Sequence, residues 1–113
     1  AKSMGAKLCI EFFYEAPPVI NDNNITDLFI HSASKIIGKD QIITNINPAM
    51  VSEDFAYFSQ IVPSTYYFLG CRNEEKGITY PLHSSKFKGD DECIKIGASI
   101  LSQCAIDYLS CFE

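Results

Sequence analysis

Thr65-Tyr66-Tyr67-Phe68-Leu69 is the stretch whose environment sets the layers of the fold. It is β-branched and aromatic, without the alternation of a strand that has one wet face, so it reads as a strand covered on both faces. Pro63-Ser64 turns the chain into it, and Cys71 to Gly89 reads as loop apart from short extended pieces. The flanking segments supply helices. Upstream, Asn21-Asp22-Asn23-Asn24 offers N-cap acceptors to a run in which Ile25, Leu28, Phe29, Ala33, Ile36 and Ile37 recur at helical spacing until Gly38. Downstream, Asp90 and Asp91 precede a last helix in which Ile94, Gly97, Ala98, Leu101, Ala105, Tyr108 and Phe112 make an apolar stripe.

Further out, Lys7 to Tyr14 alternates, with Leu8, Ile10, Phe12 and Tyr14 on one face, the period of a half-buried strand. Pro17-Pro18 ends it, because two consecutive residues lack the ladder donor. Gln41 to Thr44 reads as a short strand and Asn45 to Pro48 as a loop. Ser52 is an N-cap candidate, with Glu53 and Asp54 in the first turn where the helix dipole favours negative charge, and Phe55 and Phe58 giving apolar contacts. The spacing predicts a short helix to about Gln60.

The 113 residues are one domain at most, able to bury roughly two thirds of their unfolded surface if they fold alone. No apolar run approaches the roughly 18 residues of a membrane span, and Ala1-Lys2-Ser3-Met4-Gly5 lacks the layout of a secretory signal. The lack of an initiator methionine fits a cut piece. A net charge of −5, with nine Lys and Arg scattered along the chain, argues against nucleic acid as a partner. The five cysteines form no C-x-x-C pair and their odd count leaves one unpaired in any monomeric disulfide scheme, so they read as packing residues in a reducing, cytoplasmic compartment.

Two places carry side chains suited to chemistry. His83, in Pro81-Leu82-His83-Ser84, follows a proline that stiffens the approach, and a neutral imidazole is a common zinc ligand. By spacing alone a loop histidine bonded to backbone is the better account, since one histidine is no metal site and most sites need at least three protein ligands. Ser52-Glu53-Asp54 has a complete structural explanation as an acidic helix start. His31 sits on the first helix and reads as a solvent-facing or boundary residue.

Met50-Val51-Ser52-Glu53-Asp54-Phe55-Ala56-Tyr57-Phe58 and Pro81-Leu82-His83-Ser84, with Tyr66-Tyr67-Phe68-Leu69-Gly70 and Asn73-Glu74-Glu75-Lys76-Gly77 between them, resemble the carboxyl-terminal part of the peptidase M20 family, in its amidohydrolase branch. The resemblance is specific over residues 50–88 and generic before them. It implies an α/β metallopeptidase-like catalytic domain, α+β if this segment is taken alone. Residues 1–16 would be the end of an inserted satellite domain that often mediates dimerisation, and residues 17–113 the return into the catalytic domain.

The resemblance further implies a hydrolase that cleaves N-acyl amino acids or related conjugates with one or two Zn²⁺ or Mn²⁺ ions. In it His83 would be a metal ligand, and Ser52, Glu53, Asp54 and Phe55 would line the substrate cleft. Val51 departs from the glycine common at its position, which bears on any close approach of backbone to substrate. Glu74-Glu75 matches a surface loop and not the family's catalytic Glu-Glu pair. That pair and the remaining ligands have no counterpart here, so no residue of this segment is expected to be a catalytic acid or base, and alone it is expected to be inactive. Its expected partners are the rest of the polypeptide and a small-molecule substrate, with no membrane involved. Two other readings are a free-standing α+β interaction module and a non-catalytic homologue.

Overall fold

The computed structural model describes residues 2–13 and 16–111. Their regular structure is helical: α1 spans Asn23–Ile37, α2 Phe55–Ser59 and α3 Glu92–Ser110, with single 3-10 turns at Lys2–Met4 and Lys39–Gln41. α1 begins where its caps place it. Asp22 is extended and its carboxylate accepts the Ile25 N–H at 3.0 Å, while Gly38, at φ 80°, closes the helix by donating its N–H to Ser34. α3 starts without a side-chain bond from Asp91, and Asp90 instead accepts the Glu92 N–H at 3.3 Å.

α1 and α3 pack against each other around a polar contact. The Ser32 hydroxyl donates to Asp107 Oδ2 at 2.6 Å, Lys35 Nζ meets Oδ1 at 2.7 Å, and Gln103 Nε2 donates to Oδ1 at 2.9 Å. Beside them lie the buried Ala33 and Ile100; burying an isoleucine side chain fully stabilises by roughly 1.5–3 kcal/mol. This contact rotates α3 from the expected face. The inward positions are Cys93, Gly97, Ile100, Cys104 and Asp107; Gly97 belongs to the expected stripe and is buried, while the other four each stand one residue before a member of it, and Ile94 is 66% and Leu101 57% exposed. One residue is about 100° of helix. Hydrophobicity alone favours the stripe, but Asp107 must face its donors and Gly97 must admit Leu69, whose Cδ2 lies 2.9 Å from where a Cβ would stand. The displaced stripe instead borders an open groove of about 350 Å³, where Leu101, Ala105 and Tyr108 face Leu28, Phe29 and Tyr67. Phe112 lies outside the described residues.

The 65–69 run lies against the two helices with its side chains alternating. Thr65 meets Thr26 at 3.0 Å, the Tyr67 ring lies 4.3 Å from that of Phe29, and Leu69 covers Gly97. Tyr66 points the other way, to Phe55 of α2. The expected two-sided cover is therefore present at Tyr66, while Phe68 is largely exposed. No ladder forms. The only β pairing among the described residues is one antiparallel bridge, Asn73 with Ile78, so the helical half of the α/β expectation appears and the sheet does not. The reason is the want of a neighbour: strands exist by pairing, and no other described segment pairs with this run.

Three further expectations change. Residues 7–13 form no strand and expose Leu8, Ile10, Phe12 and Phe13, while Tyr14 lies outside the described residues. The segment Gln41 to Thr44 is not a strand either, since Gln41 closes a 3-10 turn begun at Lys39. α2 starts at Phe55, not after Ser52, because the Glu53 carboxylate folds back to accept the Phe55 N–H at 3.3 Å.

The α1–α3 contact has a pH signature. Lys35 first, then Ser32, hold the Asp107 carboxyl down at about 2, whereas an unfolded aspartate titrates at ~3.9. A depressed pKa contributes stability that is present above the unfolded value and is lost as pH falls toward the folded one. The protein is therefore expected to lose melting temperature between roughly pH 4 and pH 2. Asp107→Asn should lower stability at pH 7 and flatten that acid slope, as thermal melts across the range would show. An unchanged slope would remove Asp107 as its source.

Candidate functional site

His83 sits at the third position of a tight turn. The Ser84 N–H donates to Pro81 O at 3.2 Å, and His83 has φ 68°, the only positive φ outside glycine among the described residues. A positive φ at that position alone is the type II pattern, which usually takes glycine or asparagine. For other residues the left-handed region costs roughly 1–2 kcal/mol. A second turn follows directly. Phe87 N–H donates to Ser84 O at 3.0 Å, the Ser84 hydroxyl oxygen accepts the Lys86 N–H at 3.2 Å, and Lys86 Nζ stands 5.4 Å from the centre of the Tyr80 ring. The imidazole is exposed and makes no hydrogen bond or ion pair among the described residues.

An exposed imidazole with no competing partner suits a metal ligand, but a site needs more. Among the described residues no three His, Cys, Asp or Glu side chains converge to hold an ion. These residues offer one donor, and a complete site requires others from elsewhere.

The 52–55 segment is organised from across the chain. Tyr66 Oη donates to Glu53 Oε2 at 2.9 Å, and the Tyr66 ring lies 5.4 Å from that of Phe55 and 5.7 Å from that of Phe68. The Tyr66 hydroxyl first, then the Asp54 side chain and the Phe55 N–H, hold the Glu53 carboxyl below the usual carboxylate range, and the same bond pushes the Tyr66 phenol up. Ser52 and Asp54 are exposed. No hydrogen bond, ion pair or ring contact among the described residues joins this segment to the His83 turn.

Asn73-Glu74-Glu75-Lys76-Gly77 is a small hairpin tied to the start of α3. Asn73 and Ile78 exchange both backbone bonds, at 2.9 and 2.7 Å, and Gly77 turns with φ 67°. Asp90 anchors it, receiving Asn73 Nδ2 at 2.6 Å and Lys76 Nζ at 2.8 Å. Lys76, followed by Asn73, holds the Asp90 carboxyl low, and Asp90 raises the Lys76 ammonium. Among the described residues the Glu74 carboxylate pairs only with the exposed Arg72, at 3.0 Å, which fits the surface-loop reading of Glu74-Glu75. His31 is exposed on α1, with its carbonyl accepting the Ser34 hydroxyl. All five cysteines are free thiols. Residue types and spacing do not single out Tyr66 or Asp90 as hubs of these contacts; Asp90 stands in the sequence only as one of two acids before a helix.

The chain belongs to peptidase family M20/M25/M40, whose sequence profile matches residues 7–107. It is 36% identical over 105 residues to thermostable carboxypeptidase 1 of Saccharolobus solfataricus, covering 92% of this chain and 26% of that protein. Thermostable carboxypeptidase 2 of the same organism matches with the same identity and coverage. The IAA-amino acid hydrolase ILR1-like 6 of Arabidopsis thaliana is 31% identical over 110 residues, 94% of this chain and 24% of that protein. The chain thus spans about a quarter of the length of these curated relatives. No solved structure matches it. Among the described residues no helix is long and apolar enough to cross a membrane.

The strained turn makes an unusual demand on mutation. His83→Gly removes the left-handed penalty, so it should leave stability equal or raise it by up to ~1 kcal/mol, against the usual loss on replacement by glycine. Urea unfolding of the two proteins is the check. A loss of more than ~1 kcal/mol would mean that the imidazole itself holds the turn.

Proposed function

We propose that the chain is the carboxyl-terminal portion of a metal-dependent M20 amidohydrolase or peptidase, and that His83 is its one metal ligand. The observation that carries this reading is His83 itself: an exposed imidazole, without a competing partner, held at φ 68° on a doubly turned loop within a family match that runs over residues 7–107. Backbone strain kept at a side chain that stabilises nothing nearby is a pointer to function. In the full domain, an α/β body formed by residues 17–113 with the rest of the polypeptide, the edge of the 65–69 run would find its sheet neighbours. Residues 1–16 would close a satellite domain through which the protein could dimerise.

The substrate class is a small N-acyl amino acid or related conjugate, in keeping with the relative named for IAA-amino acids and with the carboxypeptidases, which share an amide next to a carboxylate. A bound Zn²⁺ or Mn²⁺ would polarise that amide carbonyl and lower the pKa of a water. The residues of this chain have narrower roles. His83 supplies a neutral imidazole donor, and Ser52 to Phe55 form one wall of the cleft. No residue here serves as the general base, so the proton must be handled by the part of the polypeptide outside this chain.

Two outcomes follow. In the complete polypeptide, His83→Ala should lower metal content and reduce hydrolysis of a simple N-acyl amino acid by ~100-fold or more, the scale of several kcal/mol of lost metal assistance, with circular dichroism unchanged. Unaltered metal stoichiometry and rate would remove His83 from the site. The 113-residue chain alone should show no tight zinc binding, since one imidazole cannot build a tetrahedral site; submicromolar affinity dependent on His83 would point to donors from a second copy.

A further inference from the structure

Tyr66 is held at both ends. The Asn21 side chain takes its backbone from both sides, with Nδ2 donating to Tyr66 O at 2.9 Å and Oδ1 accepting the Tyr66 N–H at 2.8 Å. Its ring is boxed by Phe55 and Phe68, and its hydroxyl ends on Glu53 Oε2 at 2.9 Å. The other Glu53 oxygen accepts the Phe55 N–H at 3.3 Å, the first backbone donor of α2. Both carboxylate oxygens are thus engaged inside the protein, and Glu53 is half-buried while Asp54 beside it is exposed. A group so engaged is poorly placed to meet a ligand, and well placed to fix the turn that carries its neighbours.

We propose that Tyr66 is a positioning residue, which through the Glu53 carboxylate and the Phe55 N–H holds the Ser52–Asp54 turn in the geometry that faces the substrate. Glu53 then acts through the turn and not on the substrate, leaving Ser52, Asp54 and the start of α2 as the surface presented to the cleft. The inference rests on the hydrolase reading for what the turn faces, but not for the clamp itself. Tyr66→Phe removes one oxygen and keeps the ring contacts and the Asn21 bonds, so the fold should survive it.

The test is a mutant cycle in the complete polypeptide with Tyr66→Phe, Glu53→Ala and the pair, read by steady-state kinetics on an N-acyl amino acid and by hydrogen exchange of the amides of residues 53–57. Each single change should raise KM by about tenfold, the factor carried by one hydrogen bond to a charged group, with kcat altered less than about twofold. The double change should cost no more than either single one, because both break the same clamp. The 53–57 amides should exchange roughly tenfold faster in all three. Unchanged KM in an active background, effects that multiply in the double variant, or unchanged exchange would overturn the proposal. If the unsubstituted polypeptide hydrolyses no N-acyl amino acid, the function reading falls on its own account, and the exchange measurement alone decides the role of Tyr66.

Discussion

A run of backbone withdrawn from any β ladder still has to bond its N–H and C=O groups, and the way this chain does so organises everything around it. At Tyr66 the partner is the Asn21 amide, whose one oxygen and one nitrogen imitate the donor and acceptor of a neighbouring strand. One residue further on, the Asp22 N–H donates to Ser64 O at 2.9 Å, so the residue that caps α1 also holds the entrance to the 65–69 run. The helix start and the extended run are thereby fixed together. From that junction Thr65, Tyr67 and Leu69 reach the helices, and Tyr66 reaches α2.

The second junction is Asp90. It stands where the hairpin of residues 73–78 meets α3, and it bonds Asn73, Lys76 and the first N–H of the helix. Cys71 O accepts the Asp90 N–H at 2.9 Å, which brings the end of the 65–69 run to the same point. The loop that carries His83 leaves and returns between these anchors, so a long connection without regular structure is held at its root while its tip stays exposed.

Much of this was legible in the residues, and what was not has a common cause. Both long helices were readable because caps and periodicity are local: Asp22 and Gly38 bound α1 as composition alone suggests. The face α3 turns inward was not, because a hydrophobicity pattern counts Asp107 as outward and cannot know that Ser32 and Lys35 wait opposite it. The start of α2 lies two residues beyond the place the acidic turn suggests for a similar reason, since Glu53 is drawn by a tyrosine from another segment. Strands at residues 7–14 and 41–44 are what alternation and residue type within one segment suggest, but pairing is a property of two segments. His83 was readable as a candidate from its proline and its motif, whereas its left-handed backbone was not, because that conformation is ordinarily announced by glycine.

The ion pairs differ sharply in how much water reaches them, and that sorts their response to electrolyte. The Asp107 side chain is only 13% accessible in its pair with Lys35, whereas Arg72 and Glu74 are 64% and 76% accessible. Mobile ions screen over about 8 Å at physiological strength, and they do so fully only where they can enter. Concentrated sodium chloride should therefore weaken the attraction between Arg72 and Glu74 more than that between the two long helices, whose Lys35 end is itself 40% accessible. A chain with a sizeable negative charge gains compactness from added salt through relief of self-repulsion, and the sheltered Asp107 lets it take that gain with less loosening of its helix pair than an exposed pair would suffer.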